Sequence, residues 1–284
     1  YPGSAEVKYE RGVFHHARGN GYEVDGDHEK ALDEYEKAVK AYLSPSSGKK
    51  ERAKAVIVPH AGYMYSGYVA GAVYASVEIP DHIVLIGPNH TGLGERAAIM
   101  DSGSWETPIG SVNINEKLAG LILGNCKLFS IDAIAHMREH SLEVQLPFLY
   151  HLNKNISFVP ITVMHAEFRE CSIMGKAVAK AITEFKKDVL IVVSSDMNHY
   201  ESDSVTRKKD KLAIDKALAL DGKGLLDITS DKDITMCGVI PAVIAIEAAK
   251  ELKAENARLV KYATSGDTSN DYDQVVGYAG IIIN

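Results

Sequence analysis

Three hydrophobic runs in this chain each end in a short polar segment that carries histidine. Ala55-Val-Ile-Val-Pro59 runs into His60, Ile83-Val-Leu-Ile86 into Gly-Pro-Asn-His90, and Val189-Leu-Ile-Val-Val193 into Ser-Ser-Asp196-Met-Asn-His199. Imidazoles delivered at strand ends suggest a metal site, because ligands of open α/β sheets bind in the crevice outside the carboxyl ends of the strands. Cys237 adds a soft donor: it stands directly before Gly-Val-Ile-Pro-Ala-Val-Ile-Ala-Ile-Glu-Ala-Ala-Lys250, an apolar helical pattern with Pro241 near its start. A thiol close to a helix N-terminus is expected to have a lowered pKa and to serve as metal ligand or nucleophile.

Each of these residues also has a plainer reading. Small neighbours in Pro59-His-Ala-Gly-Tyr-Met-Tyr-Ser-Gly67 leave room for a ligand beside His60, and Tyr63 and Tyr65 offer hydroxyls nearby; the alternative is a turn histidine bonded to backbone. His90 lies in the tight loop Gly87-Pro-Asn-His-Thr-Gly92, whose rigidity would suit a ligand site. A buried strand that ends in Ser-Ser-Asp196-Met-Asn-His199 must place several polar groups at the sheet edge; helix capping does not require Asp196, since Asp203 is available. His140 and Glu143 are three apart, hence on one face of a helix, where they would orient a metal-bound imidazole from behind or touch substrate, or else form a polar helix start with a salt bridge. Cys126 and Cys171 read as small core residues and His15, His16 and His28 as surface; His82, His136, His151 and His165 have no organised neighbours in sequence.

The elements that would position these groups alternate from about residue 55 to the end. An amphipathic helix over about 28–43, with Leu32, Tyr35, Ala38, Val39 and Leu43 on one face, is expected to pack outside the sheet as part of an N-terminal segment, 1–53. Ser44-Pro-Ser-Ser-Gly48 breaks it. The spacing then predicts a βαβ unit with its helix at about 67–77, an antiparallel strand–turn–strand excursion over 95–115, helices near 115–123, 139–151, 167–186, 203–219, 222–229 and 238–253, and a strand at 156–163. The continuous apolarity of Arg258–Ala263 and Val275–Ile283 suits strands buried on both faces. The fold class is α/β: one domain, 54–284, with a mostly parallel sheet flanked by helices.

Composition narrows the function. The 284 residues are 46% hydrophobic and 24% charged, as in ordinary globular proteins that build a core without staples. The 31 Lys and Arg against 38 Asp and Glu give a net charge of −7, and no basic patch is interleaved with aromatics, so nucleic acid is not an expected partner. Three cysteines without a C-x-x-C pair fit reduced thiols, and Tyr1-Pro-Gly-Ser4 has neither the basic nor the apolar region of a secretory signal, so a cytoplasmic location is expected. No apolar stretch approaches the roughly 20 residues of a membrane span. Gly266-Asp-Thr-Ser-Asn270 has a phosphate-loop composition, but neither a Walker pattern nor a Gly-x-Gly-x-x-Gly after a strand is present, so no nucleotide cofactor is expected.

Six segments together resemble the Memo family, which includes the archaeal and bacterial AmmeMemoRadiSam system protein B. They are Pro59-His-Ala-Gly-Tyr63, Gly87-Pro-Asn-His90, Glu139-His-Ser-Leu-Glu-Val-Gln-Leu-Pro-Phe148, Ser194-Ser-Asp-Met-Asn-His-Tyr200, Cys237-Gly-Val-Ile-Pro241 and Tyr262-Ala-Thr-Ser-Gly-Asp267, and the likeness covers about 54–284. The resemblance implies a fold similar to the class III extradiol dioxygenases, which use non-haem iron(II), with metal ligands corresponding to His60, His90 and Cys237 and with Asp196 and His199 at the remaining pocket positions. The dioxygenases use two histidines and a carboxylate. A cysteine in the third place is a departure that shifts preference toward copper(I), zinc or a differently tuned iron. The N-terminus departs too: Val7-Lys-Tyr-Glu-Arg-Gly-Val-Phe-His-His16 replaces the family's usual opening stretch.

The leading expectation is a metal-dependent redox enzyme holding iron(II) or copper, with zinc as the other metal the ligands admit, acting on a small molecule or peptide, with His199 and Asp196 as its acid/base pair. One rival is a hydrolase, either a metal-free Cys/His/Asp set or zinc-activated water. The other is a non-catalytic peptide or ligand-binding module. The family's association also suggests a functional link to a radical SAM protein.

Overall fold

A computed structural model describes residues 37, 39–43, 50–107 and 109–284. Its centre is four parallel strands in the order β1 (Ala55–Val58), β8 (Val189–Ser194), β2 (His82–Pro88) and β7 (Ser157–Val163). Nearly every position of these strands is buried, as expected of strands covered by helices on both faces. Antiparallel strands close both sides. On one, β11 (Val275–Ile283) pairs with β1, and β10 (Ala257–Thr264) with β11; on the other, β3 (Ala97–Ile99) pairs with β7. The fold is thus the expected α/β class.

Two expectations about strands need correction. β10 is the edge strand and most of its residues are partly or fully exposed, so only β11 of the final pair is buried. The strand–turn–strand excursion expected over 95–115 has three strands instead: β3 is followed by a hairpin of β4 (Ser104–Thr107) and β5 (Gly110–Ile114), with Trp105 in its first strand. Two short strands had no sequence signal: β6 (Ser130–Ile131), parallel to β3, and β9 (His199–Glu201), antiparallel to β11.

Alternating residues of each central strand feed two apolar layers. Ala55 and Ile57 face one, Val56 and Val58 the other. The first layer is covered by α2 (Glu116–Asn125), α4 (Phe168–Phe185), α5 (Asp203–Leu218), α6 (Gly222–Asp231) and α7 (Val239–Glu251), the second by α1 (Tyr63–Ser76) and α3 (Leu146–Leu152). α7 is buried almost all round, between the sheet and the helices α4 and α6. Gly175 lets α4 approach it: a Cβ there would lie 2.6 Å from the Ile244 carbonyl oxygen and 3.0 Å from the Ala248 nitrogen, both backbone atoms. Gly175→Ala is therefore expected to cost about 1–3 kcal/mol of overpacking, measured by denaturant melts; an unchanged midpoint would contradict the close contact.

Residues 37 and 39–42 are helical, and Val39 is fully buried against the second layer together with Tyr42 and Leu43. The remainder of the helix expected over 28–43 lies outside the described residues. The helix expected over 139–151 is shorter. Residues 139 and 140 are irregular, 141 and 142 form a turn, Glu143–Gln145 a single 3₁₀ turn, and α3 starts only at Leu146 with Pro147 in its first turn, where the missing N–H is harmless. His140 and Glu143 consequently do not share an α-helical face.

Candidate metal centre

The strand order explains why residues so far apart in sequence meet. β8 lies between β1 and β2 in level register, with Val58 opposite Ser194 and Ile86 opposite Val193. Three adjacent carboxyl ends therefore deliver His60, Asp196 and His90 to one crevice, and the turn before α7 brings Cys237 over them. One donor atom from each of His60, His90 and Cys237 lies within 4.8 Å of the other two. Cys237 Sγ is 3.4 Å from His60 Nε2.

The hydrogen bonds fix how His60 presents itself. Its Nδ1 lies 3.0 Å from Ser194 Oγ, which also accepts from Gln145 Nε2 at 2.9 Å and donates its own proton to the Ser141 carbonyl. The serine has no second proton to give, so His60 Nδ1 must be the donor and Nε2 is left with a lone pair facing the thiol. The imidazole is 4% exposed, and this burial lowers its pKa to about 4 against the opposing pull of Asp196. An imidazole lowered this far is neutral near pH 7 and able to offer its Nε2 lone pair.

His90 is oriented by a carboxylate. Glu139, 3% exposed, accepts from His90 Nδ1 at 2.9 Å, from the His90 backbone N–H and from the Ser141 N–H at 2.9 Å. Burial alone would raise its pKa, but these bonds outweigh burial and hold it at about 2. The Glu139 hydrogen bond in turn raises the pKa of His90. Glu139, His90 and His140 form a second group of close donors, yet this carboxylate is already engaged by three N–H groups and serves better as a support than as a ligand. Glu139→Gln is expected to weaken metal binding about 10–100-fold, read by chelator competition; unchanged affinity would remove Glu139 from the site.

Cys237 differs from the sequence expectation. It stands two residues before α7, but burial pushes its thiol pKa up, with the charge of Asp196 adding to the effect; the Asp196 N–H, 3.2 Å from Sγ, opposes it only in part. Being near a helix start does not offset desolvation. Burial therefore favours the protonated thiol over the thiolate.

Asp196, 4% exposed, accepts from the amides of His60 at 2.8 Å and Ala61 at 3.2 Å through Oδ1, and its Oδ2 lies 3.8 Å from His60 Nε2. It organises the His60 turn. His199 is held instead by Thr235, whose carbonyl accepts from Nδ1 at 2.9 Å and whose hydroxyl accepts from the His199 amide at 2.8 Å. That leaves His199 Nε2 as a proton acceptor beside the segment leading to Cys237, with no hydrogen bond to Asp196 among the described residues.

Tyr63, expected beside a substrate, is buried, and its hydroxyl donates to the Val144 carbonyl, so it pins the 143–145 turn. The neighbouring Gln145 donates from Nε2 to the Pro59 carbonyl and to Ser194, and accepts from Tyr74. Glu143 is raised to about 7, by burial first and the charge of Glu139 second, which makes it a carboxyl able to exchange a proton near neutrality. His140 stands at the mouth, its side chain 49% exposed. Sequence reasoning missed Glu139, Ser194 and Gln145; their only signal was their presence inside the quoted polar segments.

The Memo family profile, described as Memo-like protein, matches residues 16–282, well beyond the 54–284 covered by the motifs at the N-terminal side. A MEMO1 family protein of Pyrobaculum aerophilum is 42% identical over 269 residues, 92% of this chain and 96% of its own length. Another, from Aquifex aeolicus, is 44% identical over 234 residues, covering 82% and 86%. The crystal structure of an uncharacterized protein from Escherichia coli K12 superposes with a TM-score of 0.55 at 12% identity, over 81% of this chain and 100% of that one, which is a likeness of fold alone. Among the described residues no helix is long and apolar enough to cross a membrane. The profile match and the length of the aligned relatives together establish that this chain belongs to the Memo family.

Proposed function

We propose that His60, His90 and Cys237 hold one redox-active transition metal, iron(II) or copper, and that the protein is an oxidoreductase acting on a small molecule or peptide in the crevice above it. The observation that carries the reading is the pair of imidazoles whose Nδ1 atoms are both committed to buried acceptors, so that their Nε2 lone pairs are free to meet the thiol. Two neutral nitrogens and one thiolate suit copper, iron or zinc, not the oxygen-seeking magnesium or calcium. A bound metal would supply one-electron chemistry or activation of dioxygen. The chain's own groups complete the site: Asp196 fixes the His60 turn, while His199 Nε2 and Glu143 accept or return protons.

A zinc-dependent hydrolase would use the same ligands, and metal identity separates the two readings. The metal-free cysteine nucleophile has less support, because a thiol raised by burial is a poor thiolate source. The deciding experiment is anaerobic reconstitution with iron(II), copper(I) or zinc, followed by elemental mass spectrometry of the wild type and His60→Ala. Near-stoichiometric iron or copper in the wild type, lost in the variant, supports the proposal, and dioxygen consumption then tests the redox step. Equal trace metal in both would end it.

A further inference from the structure

We infer that His140 is a fourth protein ligand, able to swing onto the metal and convert an open Cys-His₂ centre into a closed Cys-His₃ one. This rests on the metal reading above and adds to it a second arrangement, in which His140 would fill the position otherwise open to substrate.

Three observations carry it. Ring centroids of His60 and His90 are 5.3 Å apart, of His60 and His140 5.5 Å, and of His90 and His140 5.2 Å. Imidazoles sharing one tetrahedral ion through bonds of about 2.0–2.1 Å place their centroids roughly 5 Å apart, so all three pairs already have the spacing of a common centre. Next, the third ring alone of these makes no ring-nitrogen hydrogen bond among the described residues. His60 and His90 are tied through Nδ1 to Ser194 and Glu139, whereas His140 Nδ1 is 3.8 Å from Glu139 Oε1, beyond hydrogen-bond reach, and its side chain is 49% exposed against 3% for His60. Finally, its base is fixed. Glu139 and Ser141 on either side are buried and bonded, Ser141 Oγ donating to the Pro88 carbonyl at 3.0 Å, so the 139–141 segment holds the His140 backbone in place beneath a ring that reaches toward solvent. The His140 nitrogens are not within the 4.8 Å group formed by the other three donors, so the structure represents the open arrangement and closure is a side-chain rotation.

Cobalt(II) reports both coordination and thiolate ligation without any assay of activity. The full chain is loaded with cobalt(II) alone as wild type, His140→Ala, His140→Gln and Cys237→Ser, and its absorption spectrum and cobalt affinity are recorded, with far-ultraviolet circular dichroism to check folding. Expected are a thiolate-to-cobalt charge-transfer band in the wild type and both His140 variants, a loss of at least half the visible ligand-field intensity in those variants, recovery on adding free imidazole to His140→Ala, and an affinity reduced about five- to tenfold. Should the His140 variants match the wild type in spectrum and affinity, the fourth ligand is refuted while the three-ligand site stands. Should the wild type lack the charge-transfer band, or Cys237→Ser retain it, the underlying metal reading fails and this inference with it.

Discussion

Metal affinity of the wild-type protein is expected to rise about tenfold for each pH unit between 7 and 9, and Cys237→Ser to lose that slope together with at least about 100-fold of affinity. The sign follows from which ligand carries a proton. His60, lowered to about 4, is already neutral throughout this range. His90 is raised above its ordinary value, first by its hydrogen bond to Glu139. The Cys237 thiol, pushed up by burial, stays protonated, so each binding event expels one proton from sulfur and higher pH favours binding. A serine hydroxyl has no comparable proton to release. Competition against a chromophoric chelator at pH 7, 8 and 9 measures both numbers. A flat profile in the wild type would mean a preformed thiolate, and would restore the helix-terminus expectation that the structure overturns.

Asp210→Ala is expected to destabilise the fold by about 3–5 kcal/mol at pH 5, because it strands two buried donors at roughly 1–3 kcal/mol each and opens a small void. Asp210 on α5 is fully buried; it accepts from the Asn198 amide at 2.8 Å and from the Tyr262 hydroxyl at 2.7 Å. Gly277 on β11 passes so close that a Cβ there would lie 1.8 Å from Asp210 Oδ2. This one side chain therefore joins α5, β10 and β11 to the turn that carries Asp196 and His199. Burial raises its pKa to about 7, against the opposing bonds from Tyr262 and Asn198. A raised folded-state pKa means that stability is fully present below the ordinary carboxyl range and is lost as pH rises through about 7, after which it is flat. The penalty of Asp210→Ala relative to the wild type should therefore shrink as pH rises from 4 to 8. Thermal melts at both ends decide it; a cost below about 1 kcal/mol at pH 5 would show that the carboxyl is not holding the turn.

The supports of the site were less legible than its donors. His60, His90 and Cys237 are visible in sequence because a buried apolar run that turns polar, or a polar residue directly before an apolar helix, is a local signal. Glu139 beside His140 and Glu143 carried no such signal, and the i, i+3 reading joined His140 to Glu143 through an α-helical face that the fold does not form. The expected helix was interrupted by Pro147, which starts α3 late, and by a segment whose Glu139 bonds to His90 in the loop after β2. Likewise Ser194 and Gln145 matter only because β8 inserts between β1 and β2, placing their polar atoms behind the His60 ring.

The sequence by itself determined the α/β class, most of the helices, the four central strands and the residue types available at their carboxyl ends. These follow from apolar periodicity and from abrupt changes of polarity, both properties of neighbouring residues. The tertiary structure decided which ends lie side by side, which nitrogen of each imidazole carries the proton, and that the Cys237 thiol is raised rather than lowered. Those outcomes depend on strand order and on desolvation by residues that stand 36 to 134 positions away in sequence, and no local pattern of amino acids encodes them.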